Sequence, residues 1–568
     1  MRRTDPWLLV AFLATGAFAA PRRQAVARPP AADAGPPRSE GAIGDGAPQS
    51  FAPLTAAEVQ SIVTAAATAT NADAATIAVV DRAGRVLALY RAAKATGADD
   101  DRAVGLARTA AFFSHNQAPL SSRTVRFLSG VHFPPGVENA PNAALYGIEN
   151  TNRGCSLNTP FNAGKDVPPA TSIAHPGKCE AGDTTGCGPG IVTGKQQPDD
   201  GPYPQSVGNR SVDAGGIPLY RLVAPGLDRI HEGVVTNGEL VGGIGVAGIP
   251  GDPRIAEYAA ATGAFGAAGI GPVPFYPLPD PGNVFIDGIR LPFLDPHARL
   301  RFNDDGLPIG LEAPDGVQAA GSIAAGTFVI APVAGGCADN EYLAGPHGGA
   351  LTAAQVDGIV QRAIAAAKRT RGTIRLPLNS YARMVIAVTD LDGTVLALYR
   401  MPDATVFSID VAVAKARNVV WFSSDARDLP GVPAGTAVSN RTIGFGAQPL
   451  FPPGIEHKPG PFFTLFTNDL AHVCTQGSDA SHPQNQNGIV FFPGATPLYA
   501  NGKLVGGLGV SGDGVEQDDY VTYLAAGNLL PDRNHWADRI EVDGVRLPMF
   551  KFPRQPEGVT ECGGKPCS

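Results

Sequence analysis

Two arginines and two glutamates recur at matching places in this chain. Arg123 heads Arg123-Thr124-Val125, and Arg441 heads Arg441-Thr442-Ile443. Glu138 ends Phe133-Pro134-Pro135-Gly136-Val137-Glu138, and Glu456 ends Phe451-Pro452-Pro453-Gly454-Ile455-Glu456. Guanidinium and carboxylate groups in such loops either form a buried ion pair that holds the loop or bind an anionic ligand and its donor groups. Lys415 lies in the stretch Ile409 to Phe422, whose other positions are mostly apolar. Its ammonium either snorkels to water or meets a carboxylate ligand. His115 follows the end of a predicted helix, where an imidazole can cap carbonyls and meet the helix dipole favourably. Asp518 and Asp519, after Glu516, favour the N-terminus of the last predicted helix.

Two stretches, Gly243 to Gly248 and Gly507 to Gly512, fit GxGxxG between a strand and a helix. A dinucleotide site would use those glycines as a pyrophosphate cradle. That fingerprint needs a parallel βαβ unit, whereas Asn237-Gly238 and Asn501-Gly502 signal tight hairpins and an antiparallel strand. The glycines are therefore read as a strand that lets a helix or ligand approach closely. Gly188 to Lys195 nearly matches a P-loop and fails, because Pro189 stands where glycine is required. No nucleophile elbow, HExxH or paired-carboxylate motif is present.

The elements that position these residues occur twice, in the same order. Residues 75–91 (ATIAVVDRAGRVLALYR) return at 384–400 (MVIAVTDLDGTVLALYR), NGELVGGIGVAG at 237–248 returns as NGKLVGGLGVSG at 501–512, and FIDGIRLPF at 285–293 returns as EVDGVRLPM at 541–549. The chain reads as a tandem duplication. Each copy opens with a capping box, Thr55 with Glu58 and Thr352 with Gln355, ahead of apolar residues at helical spacing. A hairpin follows in each, turning at Gly84 or Gly393. Next comes a second helix: Asp390 and Phe422 each stand 309 positions after Asp81 and Phe113. The Arg–Thr and Phe-Pro-Pro-Gly segments read as loops. A second hairpin and a helix, clearest at Gln517–Ala526, close each copy. The order α-ββ-α-ββ-α predicts an α+β fold, an antiparallel sheet flanked by helices. Residues 142–215 and 295–350 are rich in Pro, Gly and Asn and read as long loops.

Bulk properties narrow the partners. The 568 residues suffice for two large domains, with 44% hydrophobic residues for their cores. Net charge is −8 without a concentrated basic run, which argues against nucleic acid and anionic lipid. Arg2 and Arg3, the apolar stretch Trp7 to Phe18 and Ala17-Phe18-Ala19 read as an export signal cleaved after Ala19. No other run approaches the ~20 apolar residues of a membrane helix, so no membrane partner is expected after signal removal. The expected location is periplasmic or extracellular. Seven cysteines, Cys155, Cys179, Cys187, Cys337, Cys474, Cys562 and Cys567, then read as local disulfides with at least one thiol unpaired. No CxxC pair supports a zinc ribbon.

The motifs VIAVTDLDGTVLALYRM, SIDVAVAKA and LVGGLGVSGDGVEQDD resemble those of the GlcG/HbpS-like haem-binding family, which is related to the C-terminal domain of the PduO proteins. The resemblance covers about 50–130 with 215–265, and 350–425 with 485–530, and is closer in the second copy. There Lys415 is replaced in the first copy by Leu106, and the SGDGVEQDD segment by Ala247-Gly248-Ile249-Pro250-Gly251-Asp252. The resemblance implies two tandem profilin- or PAS-like modules forming an internal pseudo-dimer, oligomerisation, and tetrapyrrole binding in some members. Haem needs an apolar slot, an axial ligand and cations for its propionates. His115, His132, His457 and His472 are then candidate ligands, with His457 the expected metal ligand; its counterpart in the first copy is Asn139. The expected binding residues are Arg441, Glu456, His457, Lys415, Arg123, Glu138 and His115.

The expected layout is a signal at 1–19, a linker at 20–50, a first module at 51–294 with the insertion 142–215, a spacer at 295–350, a second module at 351–552 and a tail at 553–568. The expected function is binding of a small ligand, haem or a related tetrapyrrole, by an exported protein. The alternatives are an enzyme acting on a small organic acid or oxidised metabolite, and a ligand-free scaffold.

Overall fold

A computed structural model describes residues 53 to 560, except 153–211, 223–234, 277–283, 331–340, 425–428, 472–486 and the positions 98, 131, 136, 138, 139, 149, 150, 237, 287, 305–307, 321, 323–325, 377, 454, 456 and 457. Its elements begin with α1 (Ala56–Ala69), β1 (Thr76–Asp81), β2 (Val86–Ala92), α2 (Asp100–Phe113), α3 (Ser122–Ser129), β3 (Gly216–Leu222), β4 (Gly238–Ala247), α4 (Pro253–Ala264) and β5 (Ile270–Gly271). Of the strands in the stretch that the composition marks as loop, two, β6 (Gly326–Ile330) and β7 (Glu341–Ala344), join larger sheets. Then follow α5 (Ala353–Ala367), β8 (Met384–Thr389), β9 (Val395–Arg400), α6 (Phe407–Ser423), α7 (Asn440–Gly446), α8 (Phe463–Ala471), β10 (Ala495–Ala500), β11 (Lys503–Gly512) and α9 (Val515–Ala526). The class is α+β, with two large antiparallel sheets ordered β6-β2-β1-β4-β3-β5 and β7-β9-β8-β11-β10 beside four two-stranded ones among the described residues.

Local chemistry explains most of these boundaries. Both capping boxes form, Thr55 with Glu58 at α1 and Thr352 with Gln355 at α5. Gly84 and Gly393 take φ of +82° at the hairpin turns, where a side chain would be strained. Asn501 and Gly502 both adopt positive φ, as their two-residue turn requires. The Arg–Thr segments expected as loops are instead short helices, α3 and α7. Each is capped by a serine that also binds the threonine three residues on, Ser121 with Thr124 and Ser439 with Thr442. The spacer is not simply loop either. Its β6 pairs with β2 and its β7 with β9, so it closes one edge of each sheet and hides backbone groups that would otherwise be unpaired.

The glycines of GxGxxG have a packing role. A Cβ on Gly243 or Gly245 would collide with the carbonyl oxygens of Ala107 and Ala103 in α2; on Gly507 or Gly509 it would collide with those of Ala416 and Ala412 in α6. The helix lies directly on the strand. Alternation sends Ile244 to the opposite face, against α4. Each sheet is thus sandwiched between one closely packed helix and a helix pair, α1 with α4 or α5 with α9.

The described residues belong to one compact unit, and a single apolar cluster draws on both sheets. Phe113 stacks on Phe407 with ring centroids 4.1 Å apart. Beside them the segment between Ala367 and Met384, longer than its counterpart between Ala69 and Thr76, inserts Arg375 into the junction. Arg375 binds Asp513, and it donates to Asp403 Oδ2 at 2.8 Å and to Gln117 Oε1 at 3.0 Å. Arg82 of the first half reaches Asp403 Oδ1 at 2.7 Å. Burial alone would raise the Asp403 carboxyl, but Arg375 and Arg82 together hold it far below the usual carboxylate range. Among the described residues no helix is long and apolar enough to cross a membrane.

Asp403→Ala leaves two buried guanidinium groups short of their shared acid. Chemical denaturation should show a loss of about 3–5 kcal/mol. A loss under ~1 kcal/mol would show that Asp403 does not hold the junction.

Candidate functional site

The second half gathers four charged side chains behind α6. Lys415 sits in mid-helix, fully buried, and its Nζ donates to Val510 O at 2.9 Å and to Asp518 Oδ2 at 2.8 Å. The same Nζ stands 4.9 Å from the centre of the Phe492 ring, a cation–π contact in a dry setting. Asp518 lies in the first turn of α9, and its Oδ1 is buried without a hydrogen-bond partner. Burial pushes its carboxyl up to about 7, against the pull of Lys415. Burial likewise lowers the Lys415 ammonium, against the pull of Asp518. Both shifts have one cause, the removal of charge from water.

The adjacent Asp519 faces α7. Its Oδ2 accepts from Arg441 Nε at 2.5 Å and from Lys551 N at 3.0 Å, and its Oδ1 accepts from Gly494 N at 3.0 Å. Burial raises this carboxyl while Arg441 opposes the shift. Arg441 Nη2 is buried and has no partner. The third repeated block closes the site: Ser439 Oγ donates to Met549 O and Thr442 Oγ1 to Pro548 O, both at 2.6 Å.

The first half reproduces half of this arrangement. Arg123 Nε donates to Glu257 Oε2 at 2.6 Å, and Glu257 Oε1 accepts from Asp295 N at 2.5 Å. Ser121 and Thr124 donate to Phe293 O and Pro292 O. The Lys–Asp pair, however, is missing. A Cβ on Gly215 would meet Ala256 and Leu106, and one on the corresponding Gly494 would meet Asp518 and Lys415. An apolar pair therefore fills the place of an ionic one.

Several expectations are corrected here. Arg123 and Arg441 bind the carboxylates of Glu257 and Asp519; Glu138 and Glu456, read as ion-pair partners or as ligand-binding groups, lie outside the described residues, as do His457 and His472. Lys415 does not snorkel. Asp518 does stand in the first turn of α9, and both aspartates are in addition buried partners of cations. His115 neither caps α2 nor faces this cluster, but sits fully buried at the junction of the halves. Its Nδ1 accepts from Gln117 N at 3.2 Å, Ala118 N at 3.1 Å and Arg375 Nη1 at 3.2 Å. With three donors on Nδ1 the proton resides on Nε2, the reverse of the tautomer an iron-binding Nε2 needs. Burial, then the nearby Arg375, lowers its pKa well below the ordinary value and keeps the ring neutral. His132 has the other arrangement, Nδ1 facing Ala140 O at 3.1 Å. The sequence did carry one signal for Asp518: Lys415 and the SGDGVEQDD segment change together between the copies.

Residues 351–526 match the family described as "Haem degrading protein HbpS-like". The second half is a GlcG/HbpS-like domain. That domain contains Lys415, Arg441, Asp518 and Asp519. The chain is 28% identical over 166 residues to the corrinoid adenosyltransferase PduO of Salmonella typhimurium, covering 28% of this chain and 37% of that protein, about a third of its length. It is 28% identical over 163 residues to an uncharacterized 15.0 kDa protein of Citrobacter freundii, covering 28% of this chain and 87% of that one. Among solved structures, a PduOC–haem complex matches with 22% identity, 31% of this chain, 94% of that chain and a TM-score of 0.22. A double mutant of HbpS from Streptomyces reticuli matches with 20% identity, 35% of this chain, 98% of that chain and a TM-score of 0.20.

Removing one partner of the Lys415–Asp518 pair strands the other in the core. Lys415→Leu alone should cost about 3–5 kcal/mol, whereas Lys415→Leu with Asp518→Ala, the residues of the first half, should be near neutral. Denaturation midpoints check this, and equal losses in both variants would contradict it. A second outcome concerns pH. The folded-state pKa of Asp518 lies above its unfolded value of 3.8, so the folded protein binds the extra proton between about 4 and 7. This group's contribution to stability therefore declines as pH rises through about 7. Asp518→Asn should flatten that decline in denaturation midpoints taken from pH 4 to 8, and an unchanged slope would reject the assignment.

Proposed function

We propose that the HbpS-like domain binds a small acidic ligand, haem or a related tetrapyrrole first among them, in an exported protein. The observation that carries this reading is the family match over 351–526, the half that also retains the Lys415–Asp518 pair. In this reading the chain is an internal pseudo-dimer of two tandem profilin- or PAS-like modules, 51–294 and 351–552. The shared sheet order around β2-β1-β4-β3 and β9-β8-β11-β10 supports it.

The donor set suits the acidic edge of a tetrapyrrole. Arg441 Nη2 is an unsatisfied guanidinium donor, and one Lys415 N–H remains after its two hydrogen bonds. These groups would hold a propionate carboxylate, and His457 would hold the iron. Bound haem would supply redox and oxygen chemistry; the protein's part is to orient it and exclude water. His115 does not fit as the ligand, for the tautomeric reason above. An enzymatic role on a small organic acid is the second reading. A carboxyl near pKa 7 beside a lysine with lowered pKa favours it, because such a pair can exchange a proton at neutral pH.

Haemin titrated into the full chain should produce a shifted Soret band at micromolar concentration. His457→Ala should abolish the shift, Arg441→Gln should weaken binding about tenfold, and His115→Ala should keep the shift. If the wild-type chain gives neither a Soret shift nor quenching of Trp421, the haem reading fails. Equal binding by the His457 and His115 variants would reject the ligand assignment alone.

A further inference from the structure

Helix α9 starts without a cap of its own. Its N-cap is Gly514, which has no side chain to accept from the first turn, whereas Asp252 caps α4 and Pro253 opens it. The preceding residue does the holding. Asp513 is fully buried; its Oδ2 accepts from Arg375 Nε and from Arg383 N, the latter at 2.6 Å, and its carbonyl accepts from Thr373 N at 2.8 Å. The packing is close: a Cβ on Gly372 would meet Asp513, and one on Gly514 would meet Thr373 and Gln517. In the first copy Ile249 stands at the position of Asp513, and no residue matches Arg375. The half that keeps the Lys415–Asp518 pair is thus the half that holds its last helix in this way.

Arg375 is in turn held by the first half. Gln117 Oε1 accepts from Arg375 Nη1 at 3.0 Å, and Gln117 Nε2 donates to Leu376 O at 2.9 Å and to Ser380 Oγ at 3.1 Å. Asn116 N donates at 3.0 Å to Asp403 Oδ1, on the second acid that Arg375 binds. Each link from Gln117 to Asp513 is a direct hydrogen bond between buried groups. Asp518 lies one turn further on, its N–H donating to Gly514 O at 2.8 Å. The two aspartates also feel one another. Burial, and after it the charges of Asp519 and Asp513, raise the Asp518 carboxyl against the pull of Lys415. Arg441 is paired to Asp519. Burial raises the Asp513 carboxyl too, against the charges of Arg375 and Arg383.

We propose that Arg375 and Asp513 are positioning residues for the Lys415–Asp518 site, and that the first half governs ligand binding there through Gln117, a role that rests on reading that pair as part of the ligand site. Gln117 fixes the guanidinium, the guanidinium fixes the start of α9, and the start of α9 sets where the Asp518 carboxyl meets Lys415 Nζ. Arg375 also neutralises Asp513, so a looser Arg375 leaves Asp518 facing more negative charge. The first half thereby acts on the second half's site without touching its ligand.

Carbon NMR of the full chain, labelled at the aspartate carboxyls, tests this without any ligand. Asp518 is the signal lost in Asp518→Asn. It should titrate at about 7 in the wild type. The midpoint should fall by about one unit in Asp513→Asn, which removes a negative neighbour, and rise in Gln117→Leu, which loosens Arg375 but keeps every charge. Haemin should bind Gln117→Leu about fivefold more weakly, with its Soret maximum unmoved because the iron ligand is untouched. A midpoint that stays in place in both variants overturns the proposal, and one that moves in Asp513→Asn alone overturns the part given to the first half. Should Asp513→Asn not fold, Gln117→Leu decides by itself. If the wild type binds no haemin, the haem reading fails, while the titration still judges the link between the halves.

Discussion

In both halves a buried helix lies so close to a strand that its carbonyl oxygens occupy the space a side chain would need. Gly243 and Gly245 under α2, and Gly507 and Gly509 under α6, make that approach possible. Everything near the candidate site inherits this constraint. It brings position 106 or 415 of the helix against Gly215 or Gly494, and against position 256 or 518 of the following helix. The motif that looks like a phosphate cradle is therefore the device that places helix residues at the site. Its distance from nucleotide chemistry follows from strand direction: β4 and β11 run antiparallel to their neighbours, so no crossover helix points its N-terminus at a ligand.

The two halves act as controls for one another. Arg123 with Glu257 and Arg441 with Asp519 recur with their backbone donors, and both tie the segment just after the Asp-Gly-x-Arg-Leu-Pro block to the core. A device kept in both copies is explained by architecture. The Lys415–Asp518 pair is kept in one copy, and the other shows that the same backbone accepts leucine and alanine. Buried ion pairs seldom improve on apolar packing of similar volume. The pair's presence is therefore not required by the fold, and its unsatisfied Oδ1 is the kind of exception that points to use.

Local physics was legible in the sequence and distant pairing was not. Thr55 with Glu58, Thr352 with Gln355 and the Gly84 and Gly393 turns depend on residues within four positions, and each forms as expected. Lys415 was recognisable as a charge on an apolar helix, but its partner is 103 positions away. Arg441 reaches across 78 positions to Asp519, so the nearer, repeated Glu456 looked the better partner. The β6 and β7 strands were hidden for a related reason. They are short edge strands in a Pro- and Gly-rich spacer, and an edge strand needs only a neighbour with free backbone groups. Arg375 has no matching residue in the first copy, because it lies in the extra length of a segment whose counterpart between Ala69 and Thr76 is short.

Histidine availability shows how little residue type decides by itself. His115 and His132 lie in the same half, yet the groups facing Nδ1 differ in direction: N–H donors for His115 and a carbonyl oxygen for His132. The first ring must carry its proton on Nε2, while the second needs a proton on Nδ1 to bond Ala140 O. The proposed iron ligand belongs to the other half, where the first copy has Asn139 in place of His457. Two separate differences, Leu106 with Ala256 for the buried pair and Asn139 for the histidine, thus fall in the same half. Under the proposed function, the first half supports and the second half binds.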